Sequence, residues 1–196
     1  MFSTRFLRHF LLCICVSLAA CETLPETASP EPITFTSLPP ISLDVARIEI
    51  QRVYRPPLKL PNVEHEMPVT LLDTADRWAK ERLRAVGRYG TARVTIDRAS
   101  VIETKLKKTG GIRGAFTTDQ AERYDATLVI AIEAWGGTGK GSAVARTTVK
   151  STRTVAEDAS LADRERVWHD MVATVLAEMN TAFEARIRRH LGAYVK

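Results

Sequence analysis

The sequence predicts an α+β fold, a two-layer sandwich in which a mostly antiparallel four-stranded sheet carries two helices on one face in the order βαβββα. Three observations predict it. Apolar and polar residues alternate in four segments, apolar residues recur at three- and four-residue spacing in two others, and each of those two opens on a Thr/Ser-x-x-Asp cap. The 196 residues, 45% hydrophobic and 26% charged, suit one globular domain.

From Leu43 to Tyr54 the run LDVARIEIQRVY places Ala46, Ile48, Ile50 and Tyr54 opposite Arg47, Glu49 and Gln51, the pattern of a half-buried strand. Pro56, Pro57, Pro61 and Pro68 then interrupt regular structure. Thr70 with Asp73 caps a helix whose buried stripe is Leu71, Leu72, Ala75, Trp78, Ala79, Leu83 and Val86, with Gly87 as its stop. Thr91 to Glu103 alternates again and shifts phase near Ala99, the mark of a bulge. Thr104 to Gln120 is cationic and glycine-bearing and reads as a loop or flexible hairpin. Tyr124 to Trp135 is apolar on one side and partly so on the other, as a central strand would be, and the turn Gly136–Gly141 joins it to a partner strand over Ser142–Val155. Ser160 with Asp163 caps a second helix of about 30 residues, ending at Gly192. Its stripe is Trp168, Met171, Val172, Val175, Leu176, Met179, Phe183 and Ile187.

Ahead of this body the chain changes character. Met1 to Arg8 carries two positive charges and no acid, and Phe10 to Leu18 is an apolar run too short to span a bilayer; together they have the form of an export signal. The next residues, Leu18-Ala19-Ala20-Cys21, resemble the lipobox of bacterial lipoproteins. That resemblance implies cleavage after Ala20, a diacylglyceryl thioether on Cys21 and an acyl group such as palmitate on the new amino terminus. Two or three acyl chains make a durable anchor where one does not. Glu22 stands where an Asp would be the usual inner-membrane retention signal of enterobacterial lipoproteins, so the resemblance favours the outer membrane, facing the periplasm.

All nine prolines lie at or before Pro68 and all ten glycines at or after Gly87. Five of the prolines fall among Thr, Ser and Glu in residues 22–42, a composition that cannot build a core and favours extended chain. The expected organisation is therefore a signal peptide over 1–20, a lipidated Cys21 with a Pro-rich tether over 21–42, and a single periplasmic domain over 43–196. A tether of about 20 residues at about 3.1 Å each reaches up to about 60 Å. The element order behind a lipobox and stalk resembles a loose group of small Gram-negative envelope lipoproteins. That group includes the lipopolysaccharide-assembly lipoprotein, the auxiliary lipoproteins of intermembrane lipid transporters and the YajG type. It implies a non-enzymatic accessory protein docking on a membrane transport or assembly complex.

The remaining chemistry is sparse. Formal net charge is +5; cleavage of residues 1–20 removes Arg5 and Arg8 and leaves +3, too mild and scattered for nucleic acid. The three cysteines all lie within the first 21 residues, so the body has neither an internal disulfide nor a cysteine-ligated metal. Gly136–Ser142 (GGTGKGS) departs from the phosphate-loop pattern, because Lys140 is followed by Gly141, and it sits between two strands. Glu64-His65-Glu66 is expected to be a solvated loop, and neither a metal nor another cofactor is expected. No nucleophile elbow is present. A hydrolase would need a pair of carboxylates converging from Glu103, Asp119, Glu122 and Asp125. The cluster Lys105, Lys107, Lys108 and Arg113, with Phe116 nearby, is the candidate contact for anionic headgroups, lipopolysaccharide or an acidic partner. The alternative function is a lipid or small-ligand binding lipoprotein with a pocket between helices and sheet, gated by the 104–120 loop.

Overall fold

The computed structural model describes residues 31–107 and 120–196. The expected signal peptide, Leu18-Ala19-Ala20-Cys21, Lys108, Arg113 and Phe116 lie outside the described residues. The elements are β1 (Ile41–Leu43), β2 (Arg47–Arg52), α1 (Leu71–Arg82), β3 (Leu83–Ala85), β4 (Thr91–Lys105), β5 (Gln120–Trp135), β6 (Ala143–Ala156) and α2 (Leu161–His190), with 3₁₀ turns at Glu64–Glu66 and Gly192–Tyr194.

The main sheet has the order β2-β4-β5-β6. The β4–β5 and β5–β6 pairs are antiparallel, but β2 and β4 are parallel, with Arg47 opposite Thr91 and Arg52 opposite Ile96. The sheet is thus mixed. The cause is the order strand, helix, strand: α1 carries the chain back to the starting end, so a strand following it beside β2 must run the same way. β5 lies centrally, as its two-sided apolar pattern requires.

The strand expected over Leu43–Tyr54 is divided in two. Ile41–Leu43 pairs in parallel with Leu83–Ala85 in a separate two-stranded sheet. The chain then turns at Asp44–Ala46, where the Ala46 amide donates to the carbonyls of Tyr89 and Gly90, and enters the main sheet as β2. This pairing also shortens α1. The helix stops at Arg82, well before Gly87, because the following backbone bonds across to β1: the Val86 amide donates to Leu43 O at 2.9 Å and the Gly87 amide to Val45 O at 3.0 Å. Val86, expected on the buried stripe, is 49% exposed. Gly87 approaches Asp44 so closely that a Cβ there would lie 2.5 Å from it. The bulge falls between Ile96 and Arg98, slightly earlier than expected.

Both helices cover the same face of the main sheet. Ala92, Val94 and Ile96 of β4 lie on the side of α1, and Leu128, Ile130 and Ile132 of β5 with Ala145 and Val149 of β6 on the side of α2, all eight members of whose expected stripe are buried. Trp78 of α1 meets Phe183 of α2 at 5.4 Å between ring centroids. Trp168 stands edge-on to Tyr124 at 5.5 Å. Arg82, 1% exposed, ties the helices together: its Nε and the Trp78 Nε1 both donate to Asn180 Oδ1, and its Nη2 donates to Glu184. The other sheet face is open and polar, with Arg93 donating to Glu49 and stacking over Trp135.

Residues 31–42, expected to belong to the tether, run along the helices as a strap. The Phe35 amide donates to Glu81 Oε2, Arg77 donates to Ile33 O, and His169 Nε2 bonds Glu31 O. Phe35 is 6% exposed and Ile33 packs against the core. Two apolar side chains among prolines suffice because the body supplies the groove and the backbone partners. Pro56–Pro68 is likewise fastened, finishing the edge of β4 that β2 does not reach: the Val63 amide donates to Val101 O and the Glu103 amide to Pro61 O.

Candidate functional site

Of the expected anionic contact, Lys105 and Lys107 are described, and both are exposed at the end of β4. Among the described residues around them, cations are paired with carboxylates. Arg164 pairs with Glu122, Arg166 with Asp163 and Arg123 with Asp125, so cations and carboxylates alternate at this end of the molecule.

The same end holds Glu103, Glu122 and Asp125, three of the four carboxylates whose placement sequence left open; Asp119 lies outside the described residues. Glu103 and Glu122 converge on the Tyr124 hydroxyl, which donates to Glu122 Oε2 at 2.7 Å and lies 3.3 Å from Glu103 Oε2. Burial, together with the Glu122 carboxylate, raises the Tyr124 pKa far above its ordinary value, so the phenol stays a donor. Asp125 is turned away, accepting from Arg123 and Thr152 on the open face. The converging pair is thus occupied by a phenol and a guanidinium, a structural polar cluster beneath α2.

Glu64 departs from the solvated loop expected of Glu64-His65-Glu66. It is 3% exposed, while His65 and Glu66 face outward. Its Oε1 accepts from the Tyr54 hydroxyl at 2.7 Å, Asn62 Nδ2 at 2.8 Å and the Val101 amide at 2.8 Å. Those bonds pin the proline-rich segment to β4. Sequence reasoning missed this residue because two of its three partners, Val101 of β4 and Tyr54 from before the prolines, are brought to it only by the fold. Among the described residues no three His, Cys, Asp or Glu side chains gather to hold a metal ion.

The opposite end has a cleft of about 310 Å³, formed where the β1–β2 turn, the β3–β4 connection, the β5–β6 turn and the carboxy-terminal residues meet. The Gly136–Ser142 turn lies here between two strands, as its pattern predicts. Gly136 and Gly139 have φ of +72° and +69°, which only glycine adopts freely. Asp44 occupies the centre, accepting from Lys140 Nζ at 2.6 Å and Lys196 Nζ at 2.9 Å. The hydrogen bonds from Lys140 and then Lys196 hold its carboxyl below the usual carboxylate range. Lys140 also lies 5.0 Å above the Tyr194 ring, whose hydroxyl donates to Gly141 O. Arg88 and Tyr89 stand exposed at the rim. A second, shallow concavity on the outer side of α2 is lined by Ala177, Glu178, Thr181 and Ala182.

Among the described residues no helix is long and apolar enough to cross a membrane. Comparison with protein-family models and with curated proteins finds no match. Among solved structures the chain is similar to a crystal structure of a Xanthomonas campestris protein of family DUF330, at 11% identity over 79% of this chain and 90% of that one, with a TM-score of 0.33.

Proposed function

We propose that this chain is a lipid-anchored, non-enzymatic accessory protein of the bacterial cell envelope, held by acyl groups on Cys21 and docking its folded body on a membrane transport or assembly complex. The observation that supports this reading over the ligand-binding alternative is the close packing, among the described residues, of the side chains between helices and sheet. The α2 stripe, Trp78, and the inward residues of β4, β5 and β6 pack on one another in a single core, and the two concavities described above are both open to the surface. A lipid carrier would need an apolar volume where these side chains stand. The outer edge of β6, 14 residues long, has no strand beside it among the described residues. Such an edge can receive a partner strand. The strap fastens the chain to the body from Glu31 onward, on the side of the sequence that carries Cys21.

The test is in-cell crosslinking and pull-down of the acylated protein beside a Cys21→Ser version, with membrane fractionation and intact mass on the same material. Recovery of a transporter or barrel subunit with the acylated form alone is the expected outcome. A co-purifying lipid without a protein partner favours the binding module, and an unmodified Cys21 on a soluble protein overturns the anchoring on which both depend.

A further inference from the structure

The cleft around Asp44 carries more positive charge than its architecture consumes. Three cationic side chains, Arg88, Lys140 and Lys196, line it against the single carboxylate of Asp44. Asp44 takes one oxygen contact from each lysine, at 2.6 and 2.9 Å, and each ammonium has three donors. Arg88 has no ion pair or hydrogen bond to any described residue, and its guanidinium is a planar fork suited to carboxylate. The Thr138 hydroxyl adds a further donor to the lining.

The walls of the cleft are closely packed at two glycines. Gly137 cannot carry a side chain without meeting Tyr194 at 2.9 Å and Lys140 at 3.0 Å, and Gly87 cannot without meeting Asp44. At the rim Val86 is 49% and Tyr89 65% exposed, giving apolar surface beside the cations.

We infer that this cleft binds an acidic segment of a partner protein, with one carboxylate taken by Arg88 and the lysines and a neighbouring apolar side chain resting on Tyr89 and Val86. A free phosphate would use the cations but leave the apolar rim idle. A lipid headgroup is disfavoured by position, a point that rests on the lipid-anchored reading above. Glu31, the described residue nearest the anchor in sequence, lies beside His169 of α2, whereas the cleft lies past the other end of that helix, 21 residues or about 30 Å further on.

The experiment uses the full acylated chain in detergent micelles and follows fluorescence anisotropy of a labelled octapeptide of alternating Glu and Leu. A Gln-for-Glu peptide, inorganic phosphate and phosphatidylglycerol vesicles are run beside it. The Glu peptide is expected to bind at least tenfold more tightly than the Gln peptide, and Arg88→Glu to abolish that preference. Tyr89→Ala is expected to weaken binding several-fold without changing salt dependence. Arg88 and Tyr89 are exposed, so both variants keep the fold, checked by circular dichroism. Equal binding of the two peptides, indifference to Arg88→Glu, or phosphate or vesicles competing through the same residues with Tyr89→Ala silent would each overturn the inference. Intact mass of Cys21 on the same sample reports separately on the anchoring, so a failed cleft and a failed anchor are told apart.

Discussion

Glu64 and Arg82 are buried polar side chains that each bond to a partner far away in sequence, Glu64 through Oε1 and Arg82 through Nε and Nη2, while Glu64 Oε2 and Arg82 Nη1 are buried without one. Glu64 accepts from Val101, 37 residues on, and Arg82 from α1 reaches Glu184, 102 residues on. Such groups are costly to strand, because the partner left behind keeps its desolvation penalty. Glu64→Ala leaves the Val101 amide and the Tyr54 hydroxyl without their acceptor, and the expected loss is about 3 kcal/mol in urea unfolding. A loss under about 0.5 kcal/mol would mean that water replaces the carboxylate. Nothing in EHE distinguishes Glu64 from a solvated acid. The signal that could have found it is weak, namely Val63 and Met67 flanking the triplet, both buried.

The elements that periodicity identified are those long enough to show it. α2, with Ser160 and Asp163 satisfying each other's backbone groups as a capping box, carries its stripe as expected, and β5 and β6 pair in the expected hairpin. What periodicity could not find are the three-residue strands β1 and β3, too short for any alternation, and the strap. The strap is composed like a linker, yet Phe35 lies in the core and three backbone groups around it are bonded. Phe35→Ala is expected to release it. Truncating a buried Phe costs about 3 kcal/mol, less here because a detached strap simply returns to water. The measurement is limited proteolysis and hydrogen exchange over residues 31–40: cleavage and exchange should rise there while α2 keeps its protection. Unchanged protection in the variant would show that the hydrogen bonds alone hold the strap.

For the molecule as a whole, ion pairs set the response to acid. Asp44 is lowered by its hydrogen bonds from Lys140 and Lys196. For Asp76, burial acts to raise the value, but hydrogen bonds from Arg52 and Lys80 outweigh it and the net shift is downward. A carboxyl whose folded value lies below 3.8 contributes stability that is present above 3.8 and is lost as pH falls through the lowered value. Thermal unfolding followed against pH at fixed ionic strength should therefore be flat near neutrality and fall below 3.8, with Asp76→Asn flattening part of that fall. An identical acid limb in the variant would assign the fall to other carboxylates.

The sequence by itself determined the α+β class, the two capped helices, the central hairpin and the α2 face that packs, because each follows from local periodicity and from groups a few residues apart. It also carries Leu18-Ala19-Ala20-Cys21, whose resemblance to a lipobox is what the proposed anchoring rests on. Only the tertiary structure decided that β2 lies parallel to β4, that α1 yields its last turn to a strand, that the supposed tether is partly a strap, and that Asp44, Arg88, Lys140 and Lys196 share one cleft. Each of these depends on segments that meet only when the sheet closes, where bonds between distant backbones outweigh the weak preference of a short run of residues.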